Sequence, residues 1–144
     1  MKRHLTWLFA CLPLYTFAGA ESQSAFEQVS VTTGIPAPVL HAIVCVESGM
    51  TPGDTKCRPW PWTLRVAGIL HRYGTRKEAE LALNRFLSLG ITNIDVGLMQ
   101  VNWRRYHHLL TSPAKALDPN NNLRVGANIL SKEWRENRNR WAAF

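Results

Sequence analysis

Glu47 is the residue best placed to do acid chemistry. It sits near the end of the run Ala42-Ile43-Val44-Cys45-Val46-Glu47-Ser48-Gly49. Leu40, Ile43, Val44 and Glu47 fall at i, i+3, i+4 and i+7, so one helical face carries all four. The three apolar residues demand burial, and Glu47 is drawn toward the core with them. An ionised carboxylate there costs several kcal/mol unless it is paired, which favours the protonated form that a general acid needs. The alternative is a helix-end Glu that turns into solvent where Gly49 stops the helix.

The second group is Gly97-Leu98-Met99-Gln100, with Asn102 two residues on. Gly97 permits close backbone approach, Leu98 and Met99 offer an apolar floor, and Gln100 presents a carbonyl and an amide together. Such a set can hold a sugar N-acetyl group, which has one donor, one acceptor and a methyl; it can equally begin a helix that packs on the core. Ser48 can orient the Glu47 acid, bind a substrate polar group, or bond back to helix carbonyls. Pro59-Trp60-Pro61-Trp62 puts two indoles on a stiff loop, as sugar-stacking platforms or as core residues. His107-His108 lacks a third ligand at metal-like spacing, so solvated or capping histidines are expected there and no metal. The chain has no phosphate loop and no Ser-His-Asp set with elbow glycines, and no cofactor is expected.

Several elements must position these groups. Residues 22–33 read as a helix with Phe26, Val29 and Val31 on its apolar side. After the breaker Gly34-Ile35-Pro36-Ala37-Pro38, the Glu47 helix runs to about Ser48. Residues 62–66 alternate as a strand, Ala67-Gly68 can turn it, and residues 69–73 return as the second arm of a small hairpin. Thr75-Arg76-Lys77-Glu78 has capping-box spacing and opens a helix burying Ala79, Leu81, Ala82, Leu83, Phe86 and Leu87. Residues 91–96 are β-prone and residues 103–110 helical. Asp118-Pro119 opens the last long helix, with Leu123, Gly126, Ala127, Leu130 and Trp134 on its packed side. Residues 140–144 read as the start of a further helix. The fold class is mainly α, a single domain with a small β-hairpin insert.

The chain has 144 residues. Its first twenty have the form of a cleaved export signal: Lys2-Arg3-His4, a short apolar stretch over 5–17, and Ala18-Gly19-Ala20 before Glu21. Residues 21–144 are then the functional domain, in the periplasm. Losing Lys2 and Arg3 takes the formal charge from +7 to +5, which suits an anionic partner such as the cell wall or acidic lipid; export argues against nucleic acid. Cys45 and Cys57 remain, and in an exported chain a disulfide between them is favoured over two separate thiols.

Glu47-Ser48-Gly49, Gly97-Leu98-Met99-Gln100 and Asn122-Leu123-Arg124-Val125-Gly126-Ala127-Asn128-Ile129-Leu130, in this order, resemble the soluble-type (SLT) lytic transglycosylases over residues 28–130. The resemblance implies a lysozyme-like fold and cleavage of the β-1,4 bond between N-acetylmuramic acid and N-acetylglucosamine in peptidoglycan. Glu47 would be the catalytic acid and base closing a 1,6-anhydro ring, and Ser48, Gly97, Leu98, Met99, Gln100 and Asn102 would line the saccharide subsites. The only nearby candidates for a second carboxylate, Asp54 and Asp95, lie in no recognisable motif, which suits a one-carboxylate mechanism. The insert over 50–95 resembles the branch linked to conjugation, type IV secretion and pilus assembly. That family carries a further Tyr-bearing helix after the third motif. The sequence reaches Phe144 where that helix would begin, so a domain truncated at its C-terminus, or a groove completed differently, is expected. The rival expectations are a goose-type hydrolytic lysozyme and a non-catalytic wall-binding assembly factor.

Overall fold

The computed structural model describes residues 17–50 and 57–141, with side chains over 25–50 and 57–138. The stretch 1–16, which holds most of the proposed export signal, and Asp54 lie outside the described residues. Among those described, no single helix is long and apolar enough to cross a membrane.

Among the described residues six helices and four strands follow in the order α1 (Phe17–Thr33), α2 (Ala37–Glu47), β1 (Thr63–Val66), β2 (Ile69–Arg72), α3 (Arg76–Ser88), β3 (Ile94–Val96), β4 (Val101–Asn102), α4 (Trp103–Leu110), α5 (Pro113–Ala116) and α6 (Pro119–Trp141). The expected hairpin forms between β1 and β2, its turn at Ala67 and Gly68 taking φ 49° and 82°. Two positive φ values in a two-residue loop match the twist of the flanking strands. The hairpin extends into an antiparallel sheet of order β2-β1-β3-β4. The capping box at α3 is complete: Thr75 Oγ1 accepts from the Glu78 N–H, and the Glu78 carboxylate accepts from the Thr75 N–H. Asp118 caps α6 by accepting from the Asn121 N–H at 2.9 Å.

Three apolar assignments are corrected. Val31, Leu81 and Trp134 are 86%, 63% and 67% exposed, so periodicity placed each on a buried face that its helix does not bury there. Residues 140 and 141 belong to α6 instead of opening a new helix, and residues 142–144 lie outside the described residues.

The described residues form two hydrophobic cores. Leu64, Leu83, Ile94, Val96, Val101, Leu110 and Leu117 pack between the sheet, α3, α4 and α5, joined by Val125 of α6. Val29, Leu40, Val44, Leu98, Leu123 and Ala127 pack where α1, α2 and α6 meet. α6 therefore serves both cores, and Met99 packs against both. The seam between them is where the three sequence motifs come together.

Candidate active site

Leu40 and Val44 are fully buried, but the other two members of their helical face are not: Ile43 and Glu47 are half-buried. α2 ends at Glu47, so the carboxylate leaves the core at the last helical residue instead of being sealed within it. Among the described residues it has no hydrogen-bond or ion-pair partner.

The neighbouring residue explains how that position is held. Ser48 is fully buried, with its Oγ 3.2 Å from Val44 O and 2.9 Å from Leu98 O. Expected at a saccharide subsite, it is instead out of solvent, and its hydroxyl ties the end of α2 to the turn at residues 97–100. On the other side the Arg72 guanidinium donates to Gly49 O at 2.6 Å, while Met50 and Arg58 exchange backbone hydrogen bonds of 2.8 Å. A disulfide joins Cys45 to Cys57 across 12 positions. Gly49 fits beneath it, since a Cβ there would strike Cys57 Sγ and Cys45 O. Closing so short a loop constrains the unfolded chain by about 3 kcal/mol. Thiol titration of denatured, unreduced protein lacking residues 1–20 should accordingly find no free thiol, and adding reductant should lower the unfolding free energy in urea by about that amount.

Gly97, Leu98, Met99 and Gln100 form the turn between β3 and β4, not a helix start. Gly97 and Gln100 take φ 79° and 46°, a conformation costly for Gln100. The turn is fixed from α6. Asn122, fully buried, accepts from the Met99 N–H at 2.8 Å and donates to Val96 O and Ala116 O, both at 2.9 Å. A Cβ on Gly97 would overlap the Asn122 amide, and one on Gly126 would overlap Met99. These glycines let two helical turns of α6 lie directly against the turn. Asn122 was not singled out as a site residue from sequence; its spacing from Met99 carries no local signal.

The expected subsite residues thus separate into two kinds. Gly97 and Leu98 are buried within the joint, as Ser48 is, whereas Met99, Gln100 and Asn102 are half-buried. Gln100 Nε2 donates to Gly97 O at 2.8 Å, leaving Oε1 a buried acceptor with no partner among the described residues. Asn102 Nδ2 donates to Asn93 Oδ1 and Asp95 Oδ1 at 2.9 and 2.8 Å, and its Oδ1 caps α4 at the Arg105 N–H. The side chain is engaged inside the protein, and the group it steadies is the Asp95 carboxylate.

Strand register shows which way Asp95 faces. Leu64, Val96 and Val101 line up on the core face, so Arg65, Asp95 and Asn102 line up on the opposite face. Arg72 and Thr63 occupy that same face two residues along, a spacing of roughly 7 Å. Since Arg72 reaches Gly49 O, this is the face that the end of α2 meets.

The tryptophans are structural in large part. Trp60 Nε1 donates to Tyr73 O at 2.8 Å, and Trp62 packs on the sheet core with its own N–H buried and without a partner among the described residues. His107 and His108 lie exposed in the last turn of α4, where basic groups complement the helix dipole. Tyr106, the phenol nearest in sequence to the site motifs, donates to Glu133 Oε1 at 3.0 Å; burial, then that bond, raises its pKa above the ordinary value.

No curated protein and no solved structure gives a significant match to the chain. The family model described as the Transglycosylase SLT domain matches residues 24–144, a span that takes in Glu47, the 97–100 turn and α6. Lytic transglycosylases of this type act on peptidoglycan through a lysozyme-like domain. With the mainly α fold, the small antiparallel sheet and the three motifs meeting at one seam, the chain belongs to the SLT transglycosylase domain family.

Proposed function

We propose that this protein is an active lytic transglycosylase that cleaves the β-1,4 bond between N-acetylmuramic acid and N-acetylglucosamine, with Glu47 as its only acid–base group. The observation that carries the reading is the Glu47 carboxylate itself: half-buried, unpartnered among the described residues, and held beside the 97–100 turn by the Ser48 joint. Glu47 protonates the leaving glycosidic oxygen, so the C1–O bond breaks as the O–H bond forms. The carboxylate then takes the proton from the muramic acid 6-hydroxyl as O6 bonds to C1, giving the 1,6-anhydro end and restoring the acid. Met99 and Gln100, both half-buried on the turn, are the residues that meet the sugar. Ser48, Gly97, Leu98 and Asn102 act from behind by fixing their positions.

The setting we propose is the periplasm, after removal of residues 1–20, where the enzyme opens the wall locally for a conjugation, type IV secretion or pilus apparatus. The segment inserted between Glu47 and the turn, which carries β1, β2 and α3, supports this through its likeness to that branch.

A second reading, hydrolysis, draws on Asp95. Its carboxylate lies on the sheet face that the end of α2 meets, and a second carboxylate opposite an acid can activate water. Digestion of purified peptidoglycan with residues 21–144, read by mass spectrometry, separates the two. Anhydro-muropeptides are expected; reducing-end products would move the assignment to a hydrolase, and no product with wall binding retained would leave a non-catalytic factor.

A further inference from the structure

We propose that the groove between α4 and α6 binds the short, carboxylate-bearing peptide that peptidoglycan carries on its muramic acid, a substrate contact that deepens and rests on the reading of the Glu47 site. The groove has a volume of about 470 Å³, within the range of sites that enclose small ligands. It lies apart from Glu47 but starts beside the turn. The Asn102 side chain caps α4 at the Arg105 N–H, and Arg105 lines the groove. α6 leaves the same turn at Asn122 and Gly126 and supplies the other wall through Val125 and Ile129. One helical turn is about 5 Å, so two or three extended residues attached to a sugar at the turn reach the groove.

Its chemistry favours an anion with small apolar side chains. The two acids on its wall are already engaged: Glu133 accepts from Tyr106, and Glu136 pairs with Lys132 at 3.9 Å. The cations are not matched in the same way. Arg105 lies over the Tyr106 ring at 5.3 Å and has no carboxylate partner among the described residues. Arg124 donates to the neutral amide oxygen of Asn121 at 2.8 Å. Both are exposed, and α4 itself contains no acid. A guanidinium presents paired N–H donors that fit a carboxylate, while Leu109, Val125 and Ile129 give the groove an apolar side suited to alanine methyls.

The test is calorimetric binding of a soluble pentapeptide ending in D-alanyl-D-alanine, alongside turnover on peptidoglycan strands with and without their peptides. The wild-type protein should bind the pentapeptide, and Arg105→Gln/Arg124→Gln should weaken that binding about tenfold. The same variant should raise KM about tenfold on peptide-bearing strands and leave bare strands unchanged. Unaltered pentapeptide binding by the variant, or none by the wild type, overturns the proposal even where strands are cleaved. Arginine-dependent peptide binding without strand cleavage would uphold the groove while removing the assignment of Glu47. Both arginines are exposed, so a thermal shift within a degree or two of wild type confirms that the variant is folded.

Discussion

Glu47→Gln is expected to lower turnover by about 10³-fold or more while leaving binding to insoluble peptidoglycan within a few-fold of wild type. General acid–base catalysis by one positioned group contributes about 10² to 10⁴. In the proposed mechanism one carboxylate gives the proton to the leaving oxygen and takes the next from the sugar hydroxyl, so both halves of the reaction would fail together. Glutamine keeps the size and polarity of the side chain and loses the acidic proton and the carboxylate that takes it back. Glu47 has no hydrogen-bond or ion-pair partner among the described residues and is half-exposed at a helix end, so stability should change by no more than about 0.5 kcal/mol. Mass spectrometry of released muropeptides gives the rate, and a pull-down on purified wall gives the binding. More than a tenth of wild-type turnover in the variant would place the acid elsewhere.

Local signals in the sequence account for most of the scaffold. The capping box at Thr75, the Ala67-Gly68 turn, the breaker before α2 and the Asp118-Pro119 start of α6 each act within four or five residues, and each appears in the structure where those signals place it. The two-strand hairpin grew into a four-strand sheet because β3 and β4, only three and two residues long, gain definition by pairing, β3 with β1 and β4 with β3. The shape of the 97–100 run was not legible for a different reason. Its apolar residues and polar end suit a helix start as well as a turn, and the decision comes from Asn122, 23 residues away from Met99.

The candidate site shows the same division. Glu47 could be found from its residue type and helical spacing, and the 97–100 motif from its composition. Neither property distinguishes a side chain that meets substrate from one that holds the other in place. Ser48, Leu98 and Asn102 belong to the second kind because of what they bond or pack against: Leu98 O for Ser48, the α1–α2–α6 core for Leu98, and Asn93 with Asp95 at the neighbouring strand for Asn102. Trp134 errs in the opposite direction. Its spacing continues the packed stripe of α6, but Trp134 lies past Ser131, whose hydroxyl donates to Thr33 O, and is 67% exposed.

Asn122→Ala should be the most destabilising single change at the site, costing about 4 kcal/mol. It leaves the Met99 N–H and the carbonyls of Val96 and Ala116 without their side-chain partner; an unsatisfied buried polar group costs about 1–3 kcal/mol, and water entering the space left by the side chain can recover only part of that. Against a typical domain stability of about 5–15 kcal/mol this is a large share. Gly97→Ala attacks the same joint from the other side, since its Cβ would collide with the Asn122 amide at a backbone φ that favours glycine. If one joint fixes the turn, the double variant should fall well short of the sum of the two losses in urea unfolding, because removing the amide makes room for the added methyl. Additive losses would mean that the glycine and the asparagine hold the turn independently. Wall binding by the single variants, measured below their unfolding transitions, should weaken in step with the loss of the joint, because Met99 and Gln100 are carried on the turn that Asn122 holds.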